Sequence, residues 1–265
     1  MNDPQAAVTY DVTESVGYIK LNRPEAMNSL DRATKEALRD AVEDAASGPA
    51  RAVVLTASGR AFCVGQDLRE HAASLESTSL DEVWSTVQRH YSPIARGLAT
   101  MDKPVIAAIN GVAAGAGAGL AFACDFRISA ESAGFNLAFT GIGLSSDTGT
   151  SWTLPRLVGV AKATELMMTP RTLDAQEALA LGLVSKVVPD GELAAEAHEL
   201  AVRLAAGPTV AYAAVRRALL YGSTHSLDES LDFEAEMMRL TGGTEDHRNA
   251  VSAFLAKEKP VFEGR

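Results

Sequence analysis

Short runs of strand-forming residues recur from Tyr18 to Val188, and segments with helical spacing of leucine and alanine separate them. The runs are Tyr18 to Asn22, Ala52 to Ala57, Pro104 to Asn110, Phe126 to Ala130 and Val184 to Val188. Between the first two runs lies an amphipathic segment that Ser29 or Asp31 could cap as a helix. Because strand and helix alternate in this way, the sequence predicts an α/β fold with mainly parallel strands.

From about Ala194 the sequence changes to one helical pattern after another, with breaks at Gly207-Pro208 and Gly222. An amphipathic helix usually buries its apolar stripe against a neighbour, so we expect these helices to make packing or subunit contacts rather than to carry chemistry. The chain is therefore divided into a core, residues 1–193, which holds the functional site, and a C-terminal helical region, residues 194–265.

The chain has 265 residues and a formal charge of −10, with a hydrophobic content of 47% that is ordinary for a globular protein. An acidic surface argues against sequence-independent binding of nucleic acid, because such binding needs basic groups that displace counterions. An anionic ligand would therefore have to bind at a local group of lysine or arginine side chains.

The two cysteines, Cys63 and Cys124, and the five histidines show no ligand spacing, so neither a metal site nor a disulfide framework is predicted. The N-terminal residues lack the basic and apolar regions of a secretion signal. No apolar run has the length of a membrane span. We therefore expect a cytoplasmic protein with no membrane partner.

A small-residue segment, NGVAAGAGAGLAFACD, follows the third predicted strand and carries glycine at 115, 117 and 119. It lacks the GK[ST] ending of a phosphate-binding loop, and Leu120 stands where a dinucleotide fingerprint needs its third glycine. The segment is a turn that opens a helix, whose first amides have no acceptor within the helix and can hold a developing negative charge. The sequence alone leaves open whether the glycines serve an oxyanion pocket or tight helix packing.

A second segment, GRAFCVGQDLRE from Gly59 to Glu70, also runs from a strand through a small-residue turn into a predicted helix. Asp67 could be no more than a charge at the start of that helix. Two turns that each supply one amide would form a two-donor oxyanion hole.

These segments together resemble the crotonase superfamily, which contains the enoyl-CoA hydratases and isomerases. The resemblance covers nearly the whole chain and is carried by LNRPEAMNSLD, AFCVGQDL, KPVIAAINGVAAGAGAGLAFACDFRIS, LPRLVGVAKATELMM and ALALGLVSKVVP. It implies a spiral of ββα units, a C-terminal helical region used in trimerisation, and a coenzyme A thioester as substrate. No cofactor is implied beyond the coenzyme A of that thioester.

The resemblance also implies roles for individual residues. The backbone amides of Val64 and Ala116 match the two oxyanion donors. Arg23 resembles the coenzyme-binding edge of the family, and Lys257 and Lys259 resemble C-terminal lysines that reach the coenzyme of a neighbouring subunit, although both could be solvated surface charges. The residues assigned to substrate or coenzyme binding are Arg23, Ala61, Asp67, Phe139, Lys257 and Lys259.

The chain departs from the family's hydratases at both catalytic glutamates, which match Gly119 and Phe139. Neither residue can activate water, so two-glutamate hydration is not expected. The nearby carboxylate is Asp147, which could cap a helix beginning near Thr148. Epoxyphenylacetyl-CoA isomerases and chlorobenzoyl-CoA dehalogenases of the family have an aspartate at the matching place.

The leading hypothesis is an acyl-CoA isomerase in which Asp147 shuttles a proton and the oxyanion hole holds the thioenolate. The apolar neighbours Phe139, Ile142, Leu144 and Trp152 predict a raised pKa for this aspartate. Alternatives are a weak hydratase, a dehalogenase or thioesterase, and a non-catalytic acyl-CoA-binding protein. The base histidine of the dehalogenases falls on or near Ser92, and His90 is offset from it. We expect a homotrimer or a dimer of trimers.

Overall fold

The computed structural model describes residues 6–265. Its first elements are two antiparallel strands that form a hairpin, β1 (Val8–Thr13) and β2 (Val16–Leu21). Helix α1 (Arg32–Ser47) follows, and the Asp31 side chain caps it by accepting a hydrogen bond from the amide of Thr34. The second of the two predicted caps is therefore the one that is used. Residues 1–5, part of the segment in which we predict no secretion signal, lie outside the described residues.

Three pairs of consecutive strands follow. In each pair the first strand belongs to the larger of two sheets and the second strand belongs to the smaller. The pairs are β3 (Ala52–Ala57) with β4 (Ala61–Cys63), β5 (Val105–Ile109) with β6 (Val112–Ala114), and β7 (Phe126–Ala130) with β8 (Gly134–Asn136). The helices that follow the pairs in turn are α2 (Leu68–Ser77), α3 (Leu80–Thr86) and α4 (Ser92–Thr100), then α5 (Ala116–Phe122), then α6 (Thr150–Val158) and α7 (Val160–Met168). A π-helical turn, Val87–Tyr91, joins α3 to α4.

The two sheets are completed by β9 (Leu173–Asp174), which precedes α8 (Ala175–Ala180), and by β10 (Lys186–Val188). The larger sheet has the order β1-β2-β3-β5-β7-β10, and the smaller has the order β4-β6-β8-β9. Only the β1–β2 and β8–β9 pairs are antiparallel among the described strands. This arrangement confirms the predicted spiral of ββα units.

The larger sheet is covered on both faces, which explains why the sequence of its central strand β5 is apolar throughout. Every residue of β5 is buried, so this strand reads as a continuous apolar run rather than as an alternation. Helix α9 (Leu193–Ala205) packs against β3 and β5, with Leu193, Ala197 and Ala201 buried at helical spacing. This helix thus joins the core of the sheet, and the division of the chain at residue 193 stays a prediction.

The last three helices are α10 (Thr209–Gly222), α11 (Leu227–Gly242) and α12 (Glu245–Ala256). Arg51 connects this region to the core, because its guanidinium donates hydrogen bonds to Thr209 Oγ1 at 2.9 Å and to the carbonyl of Phe262 at 3.1 Å. Several large apolar side chains here are mostly exposed: Leu219, Leu227, Met238, Phe254, Leu255 and Val261. Within residues 6–265, no helix is both long and apolar enough to cross a membrane.

Candidate active site

The two small-residue turns meet backbone to backbone. Val64 follows β4, and Ala116 is the first residue of α5. A Cβ atom placed on Gly65 would lie 3.2 Å from the amide nitrogen of Ala116, and one placed on Gly117 would lie 2.1 Å from the carbonyl oxygen of Cys63. Only residues without side chains allow the turns to approach this closely.

Each glycine of the run has its own structural reason. Gly115 has a φ of +52°, which L-residues rarely adopt. Gly117 lies against the carbonyl of Cys63. Gly119 faces Thr148, whose Oγ1 would be 2.0 Å from a Cβ atom there. Tight packing therefore accounts for the second and third glycines, while the first shapes the turn that leads to Ala116.

Within residues 6–265, neither the amide of Val64 nor the amide of Ala116 donates a hydrogen bond to any acceptor. Both residues line one cavity of about 410 Å³. Two unpaired amides on adjacent turns can together hold an oxyanion, and each is worth most where water is excluded. This geometry allows the role that the sequence predicts for the two amides.

The cavity wall is mainly apolar near its mouth, with Leu68, Trp84 and Ile142 partly exposed to solvent. Phe139 is almost fully buried and also lines the cavity, so the structure brings this predicted substrate contact to the site. The polar side chains in the wall are Gln66, His71, Thr86, Tyr91, Ser145, Ser146 and Asp147. A cavity of this size with few polar groups is typical of a small-molecule site.

Asp147 stands in a turn before α6 and is not its cap, so the capping interpretation is wrong. The helix begins at Thr150, its N-cap is Gly149, and no side chain caps it. Thr148 and Gly149 both have positive φ, +50° and +72°. A β-branched residue in this conformation costs on the order of 1–3 kcal/mol, and such strain clusters at functional sites. The two left-handed residues displace the carboxylate from the helix terminus.

Burial raises the pKa of Asp147 to about 6, while a hydrogen bond from Thr148 Oγ1 at 3.2 Å and the charge of Lys35 oppose the rise. The direction is the one that the apolar neighbours predict. Trp152, however, lies on α6 outside the cavity lining, where its ring stacks on the guanidinium of Arg156. A carboxylate titrating near neutral pH is well matched to general acid–base work.

No space for a side chain exists at Gly119, where the family resemblance places a hydratase glutamate. A Cβ atom would lie 2.0 Å from Thr148 Oγ1 and 2.6 Å from Thr150 Oγ1. Both threonines are buried, and their hydroxyl oxygens lie 3.4 Å apart. The space beside α5 is therefore occupied by the same threonine that donates a hydrogen bond to Asp147.

We expect Gly119→Glu to destabilise the protein by about 1–3 kcal/mol or more, because the added atoms overlap two buried threonines. We also expect the wild type to hydrate crotonyl-CoA slowly or undetectably, and this variant not to improve on it. Thermal unfolding and a crotonyl-CoA hydration assay measure both effects. Gly242→Glu is the matched control, since nothing lies within 4 Å of a Cβ atom there. Robust hydration by the wild type would contradict this expectation.

The other predicted binding residues lie outside the cavity lining. Arg23 forms ion pairs with Asp31 at 3.0 Å and with Asp67 at 3.4 Å. The Asp67 side chain caps α2, so its alternative interpretation as a helix-terminal charge describes its structural role. The carbonyl of Ala61, buried in β4, accepts a hydrogen bond from Asn28 Nδ2 at 2.8 Å.

Lys257 and Lys259 follow α12 and are exposed. Neither lysine belongs to the cavity lining of its own chain. Contacts with coenzyme A stay a prediction for these two lysines, as they do for Arg23, Ala61 and Asp67.

Of the seven polar residues that line the cavity, sequence reasoning assigned a role to Asp147 alone. Gln66, His71 and Tyr91 are among the six that it missed. His71 packs its ring against Trp84, with 5.4 Å between the ring centroids. His90 lies outside the cavity lining, and its Nδ1 is 2.9 Å from Thr86 Oγ1. Gln66 could have been noticed, since it stands two residues after Val64 in the same motif. Helical periodicity could not have placed Tyr91 in the cavity wall, because a π-helical turn at Val87–Tyr91 shifts the register expected for a continuous α-helix.

Comparison with known proteins assigns the family. The sequence model of the enoyl-CoA hydratase/isomerase family matches residues 11–265. A Rhodobacter capsulatus protein named as a probable enoyl-CoA hydratase is 43% identical, over 97% of this chain and 98% of its own length. The 1,2-epoxyphenylacetyl-CoA isomerase of Escherichia coli is 40% identical, over 96% and 97%. The chain belongs to the enoyl-CoA hydratase/isomerase family.

A solved structure supports the same conclusion. A Mycobacterium abscessus protein assigned to the enoyl-CoA hydratase/isomerases is 45% identical, and the alignment covers 98% of this chain and all of that one with a TM-score of 0.94. The protein is thus an enzyme of this family by sequence and by fold. Its relatives carry both hydratase and isomerase names, so the family alone does not select the reaction.

Proposed function

We propose that the protein is an acyl-CoA isomerase in which Asp147 moves one proton between two carbon atoms. Its carboxylate removes a proton from the carbon beside the thioester, and the electron pair moves onto the thioester oxygen. The amides of Val64 and Ala116 stabilise the thioenolate. Asp147 then returns the proton to the far carbon of the allylic system, so that the double bond moves and nothing is oxidised.

One observation carries this proposal. The carboxylate with a pKa of about 6 lines the same cavity as two amides that lack acceptors within the described residues. Isomerisation needs one acid–base group, whereas two-glutamate hydration needs a second, and Gly119 and Phe139 supply none. A raised pKa also favours an enzyme over a non-catalytic binding protein, because perturbed carboxylates cluster at reacting sites.

The presence of His71 favours a second candidate, aryl-CoA dehalogenation or thioester hydrolysis. In dehalogenation, attack by Asp147 on the halogen-bearing ring carbon would expel the halide and leave an aryl ester, whose hydrolysis to the hydroxylated ring and the free carboxylate needs a base for the attacking water. Thioester hydrolysis, which releases coenzyme A, needs a base for its water in the same way. His71 is the one imidazole in the cavity lining of residues 6–265. Isomerisation is preferred because it needs no group beyond Asp147 and the two amides.

The proposed substrate is a β,γ-unsaturated or ring-epoxidised acyl-CoA, and no cofactor is required beyond its own coenzyme A. The epoxide alternative draws on the E. coli relative named 1,2-epoxyphenylacetyl-CoA isomerase. Arg23, Lys257 and Lys259 are the proposed cationic contacts of the coenzyme. A cytoplasmic location fits this use of a metabolic thioester.

We further propose that copies of the chain cover the exposed apolar residues of α10 to α12, giving a homotrimer or a dimer of trimers. Leu219, Leu227 and Phe254 are among the side chains that assembly would bury. Exposed apolar side chains mark an interaction site where they form one surface patch. The molar mass in solution measures the assembly.

The rate of isomerisation at low substrate concentration should fall about tenfold per pH unit below pH 6, since only ionised Asp147 can accept the proton. The measurement is kcat/KM against pH with a β,γ-unsaturated acyl-CoA. A parallel assay follows exchange of the proton beside the thioester in deuterium oxide, which reports thioenolate formation whatever the product.

The two assays separate the candidate functions. Exchange with the same pH dependence supports proton transfer by Asp147. Binding of acyl-CoA without exchange would instead favour a binding protein, and a profile that stays level to about pH 5 would contradict the raised pKa of Asp147.

A further inference from the structure

A buried lysine fixes the orientation of the Gln66 side chain. The Lys35 side chain is almost fully buried, and its Nζ donates hydrogen bonds to Gln66 Oε1 at 3.2 Å and to Thr86 Oγ1 at 3.0 Å. The Tyr91 hydroxyl also donates to Gln66 Oε1. Because an ammonium group can only donate, the amide atom that faces it must be the oxygen.

This orientation leaves two hydrogen-bonding functions unused. Gln66 Nε2 points away from the two donors and finds no acceptor in residues 6–265. The Tyr91 hydroxyl donates its hydrogen bond to Gln66, so the lone pairs of its oxygen remain able to accept one. Burial raises the pKa of Tyr91 well above its ordinary value, so the hydroxyl stays protonated and keeps this direction.

Both side chains line the 410 Å³ cavity in which the acyl group is proposed to lie. Filling that cavity with an entirely apolar group would leave a donor and an acceptor without partners, at a cost in free energy. Glu70 lies 3.9 Å from Lys35 Nζ and balances part of its charge. The pair therefore suits a neutral oxygen better than a carboxylate.

We propose that Gln66 and Tyr91, held by Lys35, form a subsite for a neutral hydroxyl or carbonyl oxygen on the acyl group of the substrate. A carbonyl accepts from Gln66 Nε2, and a hydroxyl can also donate to Tyr91 Oη. The inference rests on the proposed function in one respect, that the acyl group occupies this cavity. It adds to the proposed substrates those acyl-CoA thioesters whose acyl group carries a hydroxyl or a second carbonyl.

The test compares the binding of three kinds of ligand by calorimetry: cyclohexylacetyl-CoA, its ring-hydroxylated forms and its ring ketones. The hydroxylated forms and the ketones are each measured as a series of isomers, with the oxygen at a different ring position in each isomer. For the wild type, at least one hydroxylated form and one ketone should bind roughly tenfold more tightly than the parent, the scale of one or two satisfied hydrogen bonds. Equal binding of all three kinds would overturn the inference.

Two variants separate the two partners. Tyr91→Phe should lower the preference for the hydroxylated form to about that for the ketone and leave the preference for the ketone nearly unchanged. Gln66→Glu keeps an oxygen for Lys35 and Tyr91 but replaces the outward donor by an acceptor, so it should remove the preference for the ketone. Survival of both preferences in both variants would contradict the subsite.

Tyr18→Phe is the matched control, since that hydroxyl bonds His198 Nδ1 at 2.6 Å and does not line the cavity. Melting temperatures establish that the variants fold. The outcome for the proposed function is read separately, from proton exchange with a β,γ-unsaturated acyl-CoA. Binding without exchange in the wild type would overturn the isomerase and leave the oxygen preference to be decided by the calorimetry alone.

Discussion

Replacing Asp147 by asparagine should reduce isomerisation at least ~100-fold, the usual scale of lost acid–base catalysis, while acyl-CoA affinity stays similar. Asparagine keeps the shape of the side chain and can still accept the hydrogen bond from Thr148 Oγ1. It cannot take a proton from carbon. Turnover and thioester binding, measured on the same preparation, test both halves of the expectation.

Although Asp147→Asn should lower turnover, it should leave the stability of the folded protein at neutral pH unchanged or raise it. Because burial raises the folded-state pKa of Asp147 to about 6, the folded chain binds this proton more tightly than the unfolded chain does. The stabilising contribution is present below about pH 4 and is lost as the pH rises through about 6. At neutral pH, Asp147→Asn should therefore melt at the wild-type temperature or above it, and the difference should shrink in acid.

Asp174→Asn is a matched control, because the Asp174 side chain caps α8 by accepting a hydrogen bond from the amide of Glu177. Asparagine is also a favoured cap, so turnover should be unchanged. Near-normal turnover by Asp147→Asn, or a loss accompanied by a large fall in melting temperature, would return Asp147 to a structural role.

Local signals were sufficient to predict much of this fold. The runs Ala52 to Ala57 and Phe126 to Ala130 coincide with the bounds of β3 and β7. The sequence also predicts Asp31 as a possible cap of α1, and the structure uses it. These features depend on residues that are neighbours in the chain, where propensity and capping act directly.

Local signals do not locate the strands of the smaller sheet, because these strands have three residues or two and carry no readable period. These strands exist through pairing between distant segments. The same limit hid the position of Asp147. Its exclusion from the helix cap depends on the left-handed backbone of Thr148, a residue type that favours other conformations.

The absence of a side chain at Gly119 and the placement of Asp147 are structurally coupled. Thr148 fills the space beside Gly119 and donates a hydrogen bond to the aspartate. A larger residue at 119 would displace this threonine and with it the carboxylate. The absence of the hydratase glutamate thus does more than remove one acid, since it makes room for the turn that presents another.

Ala116→Val should lower kcat/KM roughly 100- to 1000-fold, the loss seen when one oxyanion donor is removed. The side chain of Ala116 is buried beside its own unpaired amide, and the turn at Gly65 lies against that amide. A β-branched residue would keep the thioester oxygen from approaching it. The measurements are kcat/KM with a β,γ-unsaturated acyl-CoA and melting temperature.

Ala138→Val provides the comparison, because Ala138 lines the same cavity without being assigned an oxyanion amide. It adds the same two methyl groups and should reduce kcat/KM mainly through substrate binding, by about tenfold or less. The Ala116 variant should instead lose kcat, since its amide interacts most strongly with the charge that develops during the reaction. Wild-type kcat/KM in Ala116→Val would remove this amide from the oxyanion hole, and equal losses of kcat in both variants would trace the effect to crowding.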